Sequence, residues 1–326
     1  MKCFAGSGLS SLEEFSFVDV PTPVPGSGQV RIRNMATALG FVDGLIIRGK
    51  YQIKPQLPYI PGGEIAGVID AVGAGVTSTA VGSRVATWQL GGGLAEFSVV
   101  SEDDVVAIPE ELDFNAAAAM IVDYQTAHYA LFERGGLKEG ETVLVSGAAG
   151  GVGSVAIQLA RRAGARVIAA VSSEAKRERA LTLGAHATVT SMGPDIRSEI
   201  KALAPLGLDM VLDPVGGSIF EPLFRSLAKE GRHMVVGFAG GSIPALSTNL
   251  ALLKSASLIG VDIRHFTSAY PEAARSVLRQ LFVDVRDHTL APPAISTFEF
   301  SNCYEAFHAI GARDRIGKVV VCPNVS

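Results

Sequence analysis

The sequence predicts an α/β chain in two parts, a doubly wound parallel sheet and a second domain that is mainly β, and three observations predict it. The 326 residues exceed what one average domain of ~150 residues holds. From about Thr142 onward, apolar strands alternate with helical segments, which implies a parallel sheet covered on both faces. Before about Asp113, short strands are divided by turn residues, the texture of a small β domain.

In chain order, Pro21-Thr22-Pro23-Val24-Pro25-Gly26-Ser27-Gly28 precedes a strand from Gln29 to Asn34. Further strands are expected at Ile65 to Val72, Arg84 to Thr87 and Ala95 to Val100, with a loop at Gly91-Gly92-Gly93. The texture then changes: Asn115 to Arg134 has helical composition, with Asp113 or Asn115 as its cap, and a domain boundary is expected at this helix. Strands at Thr142 to Ser146, Arg166 to Val171, Met210 to Leu212 and His233 to Gly237 alternate with helices at Gly151 to Ala163, Glu174 to Leu183 and Ile219 to Leu227. A helix from Pro271 to about Val285, a strand near Ile295 to Phe300, a helix from Cys303 to Gly311 and a strand from Lys318 to Cys322 close the chain.

Composition narrows the function. With 48% hydrophobic and 18% charged residues the chain is globular and not disordered. Its formal net charge is −4 and it has no basic stripe, which disfavours nucleic acid as a partner. MKCFAGSGLS lacks the apolar region of a secretory signal, and no apolar run reaches the ~18 residues that span a bilayer, so a soluble cytoplasmic protein is expected. Cys3, Cys303 and Cys322 are odd in number and include no close pair, which speaks against disulfides and thiolate-bound metal.

The sharpest motif is Thr142-Val-Leu-Val-Ser146-Gly147-Ala148-Ala149-Gly150-Gly151-Val152-Gly153, in which an apolar strand meets a glycine turn that opens a helix. Such a turn lets backbone N–H groups and the positive end of the helix dipole at Gly151 to Ser154 hold a pyrophosphate. At the tip of the next strand an Asp or Glu would bind the ribose hydroxyls of NAD, but this chain has Ala170-Val171-Ser172-Ser173, with no acid until Glu174, and Lys176, Arg177 and Arg179 follow. Hydroxyls and cations there suit a 2′-phosphate, hence NADPH.

Phe41-Val-Asp43, Arg48-Gly49-Lys50-Tyr51, Pro61-Gly62-Gly63-Glu64-Ile65-Ala66-Gly67-Val68, Val72-Gly73-Ala74-Gly75-Val76, Gly82-Ser83-Arg84-Val85, the glycine cradle and Gly317-Lys318 fit one family together. The chain resembles the zinc-independent quinone oxidoreductase (zeta-crystallin-like) branch of the medium-chain dehydrogenase/reductase superfamily. The resemblance implies a GroES-like catalytic domain over 1–121, completed by 264–326, and a Rossmann dinucleotide-binding domain over 122–263. It implies NADPH contacts at Thr126, Ala149, Gly150, Gly151, Val152, Ser172, Ser173, Lys176, Ser191, Gly217, Val236, Gly237, Phe238, Val261, Asp262 and Ile263. Phe41, Tyr51 and Arg264 are implied at the substrate, with Tyr51 orienting it.

Where zinc-dependent relatives place Cys, His and Cys at the catalytic metal, this chain has Gly40, Gly63 and Val122, and the stretch from Trp88 to Phe97 carries no cysteine of a structural zinc lobe. The chain departs from the family pattern at Gly40, Leu45 and Ser191. The resemblance further implies that Ser257 to Arg264 forms an edge strand pairing with a second copy in a homodimer. The expected activity is hydride transfer from NADPH to a quinone or other conjugated carbonyl. Reduction of an enoyl thioester and a non-catalytic NADPH-binding role stand as alternatives.

Overall fold

In a computed structural model that describes residues 1–193, 195–312 and 314–323, the chain divides into two compact units, Met1–Val122 with Leu278–Ser326, and Asp123–Val277. The first crossing falls within the helix Phe114–His128. The second falls within the helix Pro271–Arg286, later than the position 264 implied by the resemblance.

The second unit is built on a six-stranded sheet. Its spatial order is Ala187–Thr190, Arg166–Val171, Thr142–Val145, Leu208–Asp213, Leu227–Val235, Ser257–Gly260, and every neighbouring pair is parallel. The inner strands are apolar because both faces are covered: Val143 to Val145 and Val167 to Val171 are buried without interruption. Leu144, Ile168 and Val211 pack with Phe220, Leu223 and Phe224 of the helix Phe220–Arg225. Reading the order outward from Thr142–Val145, one half of the sheet grows in each direction. The direction reverses between Thr142–Val145 and Leu208–Asp213, and in such sheets ligands bind outside the strand ends at that point.

The first unit holds a seven-stranded sheet in which Gln29–Leu39 pairs antiparallel with Glu64–Val72, Phe97–Ser101 and Lys318–Cys322. Phe4, Leu39, Ile47, Tyr59, Phe307 and Val321 form one of its apolar cores. Asp113 rather than Asn115 caps the helix Phe114–His128, accepting the Ala116 amide at 2.9 Å. That helix continues as a π-helical turn over Tyr129–Arg134.

Several sequence expectations need correction. The strands Lys2–Gly6, Phe15–Asp19 and Ala187–Thr190 and the helices Phe41–Ile46, Ile196–Leu203 and Thr248–Lys254 were not anticipated. The strand expected at His233 to Gly237 runs over Leu227–Val235, because Glu230 takes a positive φ of 62° and carries the strand through Lys229-Glu230-Gly231, which reads as a turn. The edge strand expected from Ser257 to Arg264 stops at Gly260, since Asp262 accepts the Arg264 amide and caps the helix Ile263–Ala269. Among the described residues, no helix is long and apolar enough to cross a membrane.

Candidate functional site

The glycine cradle sits at the end of Thr142–Val145, on the switch point of the second unit. Gly147 takes a φ of +56° and its carbonyl accepts the Gly150 amide at 2.9 Å, which closes the turn. Gly150 caps the helix Gly151–Arg162 without a side chain. A Cβ at Gly153 would lie 2.3 Å from the Gly147 carbonyl oxygen, so this close approach of turn and helix requires glycine. At Gly151 a Cβ would meet Asp123 Oδ2 at 1.8 Å, so a carboxylate that sequence reasoning did not single out stands beside the first turn of the helix.

On the adjacent strand tip, Ser172 and Ser173 are exposed, and Lys176 Nζ donates to Ser172 Oγ at 3.2 Å. Ser191 is brought to the same tip by its amide, which donates to Val171 O at 2.8 Å. The cations expected here divide. Lys176 stays at the tip, whereas Arg177 donates to Thr188 Oγ1 at 2.7 Å and pairs with Glu174 at 3.2 Å.

Thr126 is buried, and its hydroxyl has no hydrogen-bond partner. An orphaned buried hydroxyl is unfavourable unless a ligand satisfies it. The side-chain-free cradle, the acid-free strand tip and this hydroxyl together fit a phosphorylated nicotinamide dinucleotide.

Val236 and Gly237 donate their amides to Asp213 O at 3.0 and 3.3 Å, and Phe238 lies 2.9 Å from where a Gly216 Cβ would stand. Gly217 has a φ of +63° and donates to Ser242 O, while Val261 donates to Val235 O. These residues gather beyond the carboxyl ends of Leu208–Asp213 and Leu227–Val235. Asp262 is engaged with Arg264, whose guanidinium lies 3.2 Å from its carboxylate, and Ile263 opens the following helix.

Sequence reasoning also missed Ser146, Asp213 and His233, buried together at the switch point. The signal was present as Asp213-Pro214-Val215-Gly216-Gly217, an acidic residue closing an apolar strand ahead of a turn.

In the first unit, Phe41 is 42% exposed and starts the helix Phe41–Ile46, and Tyr51 is half-buried against the core that contains Ile47 and Tyr59. Beside them Asp43 is buried, with Oδ2 accepting the Gly40 amide at 2.8 Å and Oδ1 the Gly62 amide at 3.1 Å. Burial raises the Asp43 pKa, and the amide of Gly40 and the charge of Lys318 oppose that rise only in part.

Glu64 and Lys318 form a buried ion pair at 2.7 Å, and Glu64 Oε2 also accepts the Val122 amide at 3.0 Å. A Cβ on Gly40 would lie 3.5 Å from Glu64 Oε1 and 3.6 Å from Lys318 Nζ, whereas one on Gly63 would lie 2.2 Å from Gln89 O. An ammonium and two carboxylates therefore surround Gly40, and Gly63 has no room for a side chain. Among the described residues, no three His, Cys, Asp or Glu side chains are grouped to hold a metal ion.

Residues 26–110 match the alcohol dehydrogenase GroES-like domain family, and residues 151–279 match the zinc-binding dehydrogenase family. The quinone oxidoreductase-like protein 2 homolog of Nematostella vectensis is 35% identical over 91% of this chain and 82% of its own length. Among solved structures, the quinone oxidoreductase of Pseudomonas syringae pv. Tomato DC3000 superposes with a TM-score of 0.92 at 29% identity, covering 99% of both chains. The mycobacterial protein Rv1454c complexed with NADPH gives 0.92 at 28% identity, covering 99% of this chain and 100% of that one.

Proposed function

This chain belongs to the quinone oxidoreductase-like branch of the medium-chain dehydrogenase/reductase superfamily, and from that premise we propose an NADPH-dependent, zinc-independent reduction of a quinone or other conjugated carbonyl. The observation that carries the reading is the glycine cradle at the switch point, next to a strand tip that offers Ser172 and Lys176 where an acid would select NAD.

Bound NADPH supplies the hydride. The backbone amides of Ala149, Gly151 and Val152 would hold the pyrophosphate at the positive end of the Gly151–Arg162 dipole, with Gly150, whose own amide closes the turn onto Gly147 O, leaving room for its approach. Ser172, Ser173 and Lys176, with Ser191 beside them, take the 2′-phosphate. The Thr126 hydroxyl gains its missing partner at the nicotinamide, and Gly217, Val236, Gly237, Phe238, Val261, Asp262 and Ile263 line the other edge of that subsite. Phe41, Tyr51 and Arg264 orient the acceptor, and solvent or a nearby hydroxyl delivers the proton that completes a two-electron reduction. Positioning of the acceptor against the hydride donor carries the catalysis.

The test is loss of NADPH absorbance against quinones, 2-alkenals and enoyl thioesters, with a chelator present. Turnover of quinones or enones, unaffected by the chelator, is expected. Turnover of enoyl thioesters alone overturns the acceptor class, and tight NADPH binding without turnover of any of them overturns the enzymatic reading. Lys176→Ala should raise the KM for NADPH by about 10-fold, from the loss of one charge-assisted hydrogen bond, while leaving that for NADH unchanged.

The same reading includes a homodimer in the cytoplasm. The strand Ser257–Gly260 is a sheet edge, Leu258 on it is 46% exposed, and Leu252 and Leu253 nearby are 79% and 72% exposed. Leu258→Lys should shift the mass seen by light scattering from dimer to monomer, and a wild type that is already monomeric at micromolar concentration removes the proposal.

A further inference from the structure

The two strands that flank the switch point end on side chains that bond across it. Ser146 follows Thr142–Val145, is fully buried, and donates its hydroxyl to Asp213 Oδ1, while its amide donates to Leu212 O at 3.0 Å. Asp213, 1% exposed, ends the strand Leu208–Asp213. The same Oδ1 accepts the amides of Val215 and Gly216 at 3.0 Å each, and Oδ2 faces Nε2 of the buried His233 at 3.1 Å. His233 is packed near the rings of Phe220 and Phe224, and its Nδ1 has no hydrogen-bond partner. Since the Asp213 carbonyl also accepts Val236 and Gly237, one residue ties together the ends of three adjacent strands.

Burial pushes the Asp213 pKa up, but hydrogen bonds from His233 and Ser146 outweigh it and hold the carboxyl below its ordinary range, so the group is ionised at neutral pH. A buried carboxylate is not needed to pair these strands, because their backbone ladders already do so. What it adds is a fixed relation between two loops. One is the cradle from Gly147. The other is the turn Val215 to Gly217, whose Val215 Cγ2 lies 2.9 Å from where a Gly147 Cβ would stand.

We propose that Asp213, acting through Ser146 and the amides of Val215 and Gly216, is a positioning residue that holds the two lips of the cofactor crevice at one separation. The pyrophosphate-side backbone of residues 149–152 and the nicotinamide-side backbone of residues 236–238 are thereby presented to a single dinucleotide together. The proposal rests on the reading of the cradle as the cofactor site. It concerns a part of that site common to NADPH and NADH, apart from Ser172 and Lys176.

The test uses Asp213→Asn and Ser146→Ala, the second a small change that keeps the question open to measurement if the first does not fold. Amide hydrogen exchange of the protein without cofactor should quicken by about 10-fold at both Gly147 to Ser154 and Val215 to Gly217 in Asp213→Asn. Kd for NADPH and for NADH should rise by the same factor, about 10-fold to 100-fold for Asp213→Asn and less for Ser146→Ala, with the ratio between the nucleotides unchanged. Faster exchange confined to Val215 and Gly216, or a lower Tm with both Kd values unchanged, overturns the positioning role. Exchange that quickens in both loops of a protein that binds neither nucleotide overturns instead the cofactor reading beneath it.

Discussion

Gly153→Ala is expected to weaken NADPH binding by about 10-fold to 100-fold, the effect of overpacking that costs about 1–3 kcal/mol. The new Cβ would stand 2.3 Å from Gly147 O and 2.8 Å from Ala148 Cα. Both are backbone atoms of the turn, so relief comes only by moving the cradle itself. Gly151→Ala is the comparison: its Cβ runs into the carboxylate of Asp123, a side chain that can swing aside, and the loss should be smaller. Calorimetric titration with NADPH measures both, and a Gly153→Ala protein that binds within twofold of wild type sinks the account of the turn.

Lys318→Met is expected to lower the unfolding free energy by about 3–5 kcal/mol, because it strands the Glu64 carboxylate in the core. The pair is separated by 2.7 Å, with side chains only 4% and 5% exposed, so water cannot replace the missing ammonium. Urea denaturation gives the difference. Glu64→Leu combined with Lys318→Met should recover part of it, since a matched apolar pair leaves no buried charge unpaired. A loss below about 1 kcal/mol for Lys318→Met would mean that the pair behaves as a surface ion pair does.

Legibility in the sequence followed burial. Arg166–Val171 is covered on both faces and reads as an apolar run, so its limits are those expected from sequence. The strand Leu227–Val235 differs from the sequence expectation because Lys229 and Glu230 break that pattern in a bulge, where the register jumps from Leu227 to Arg232 before the ladder resumes. The cradle was legible because its chemistry needs glycines at close spacing, a local signal. Asp213 with Ser146, and Glu64 with Lys318, were not, because each pair joins residues far apart in the chain. No periodicity reports a side-chain bond between distant strands. Asp262 beside Arg264 was a short-range signal of another kind: a helix cap, hidden inside what reads as a β segment.

The placing of Lys318–Cys322 between Ile295–Glu299 and Gln29–Leu39 also constrains the order of events on the ribosome. The first unit is begun early in synthesis but lacks an interior strand until the region around residue 318 has emerged, whereas every strand of the second unit is already available by Gly260. The later-encoded unit can therefore mature first, while Glu64 waits without its counter-charge and Thr37 to Leu39, at the end of Gln29–Leu39 that Phe97–Ser101 does not cover, offer an unpaired edge. Nascent chains halted before Lys318 would be the species most in need of a chaperone.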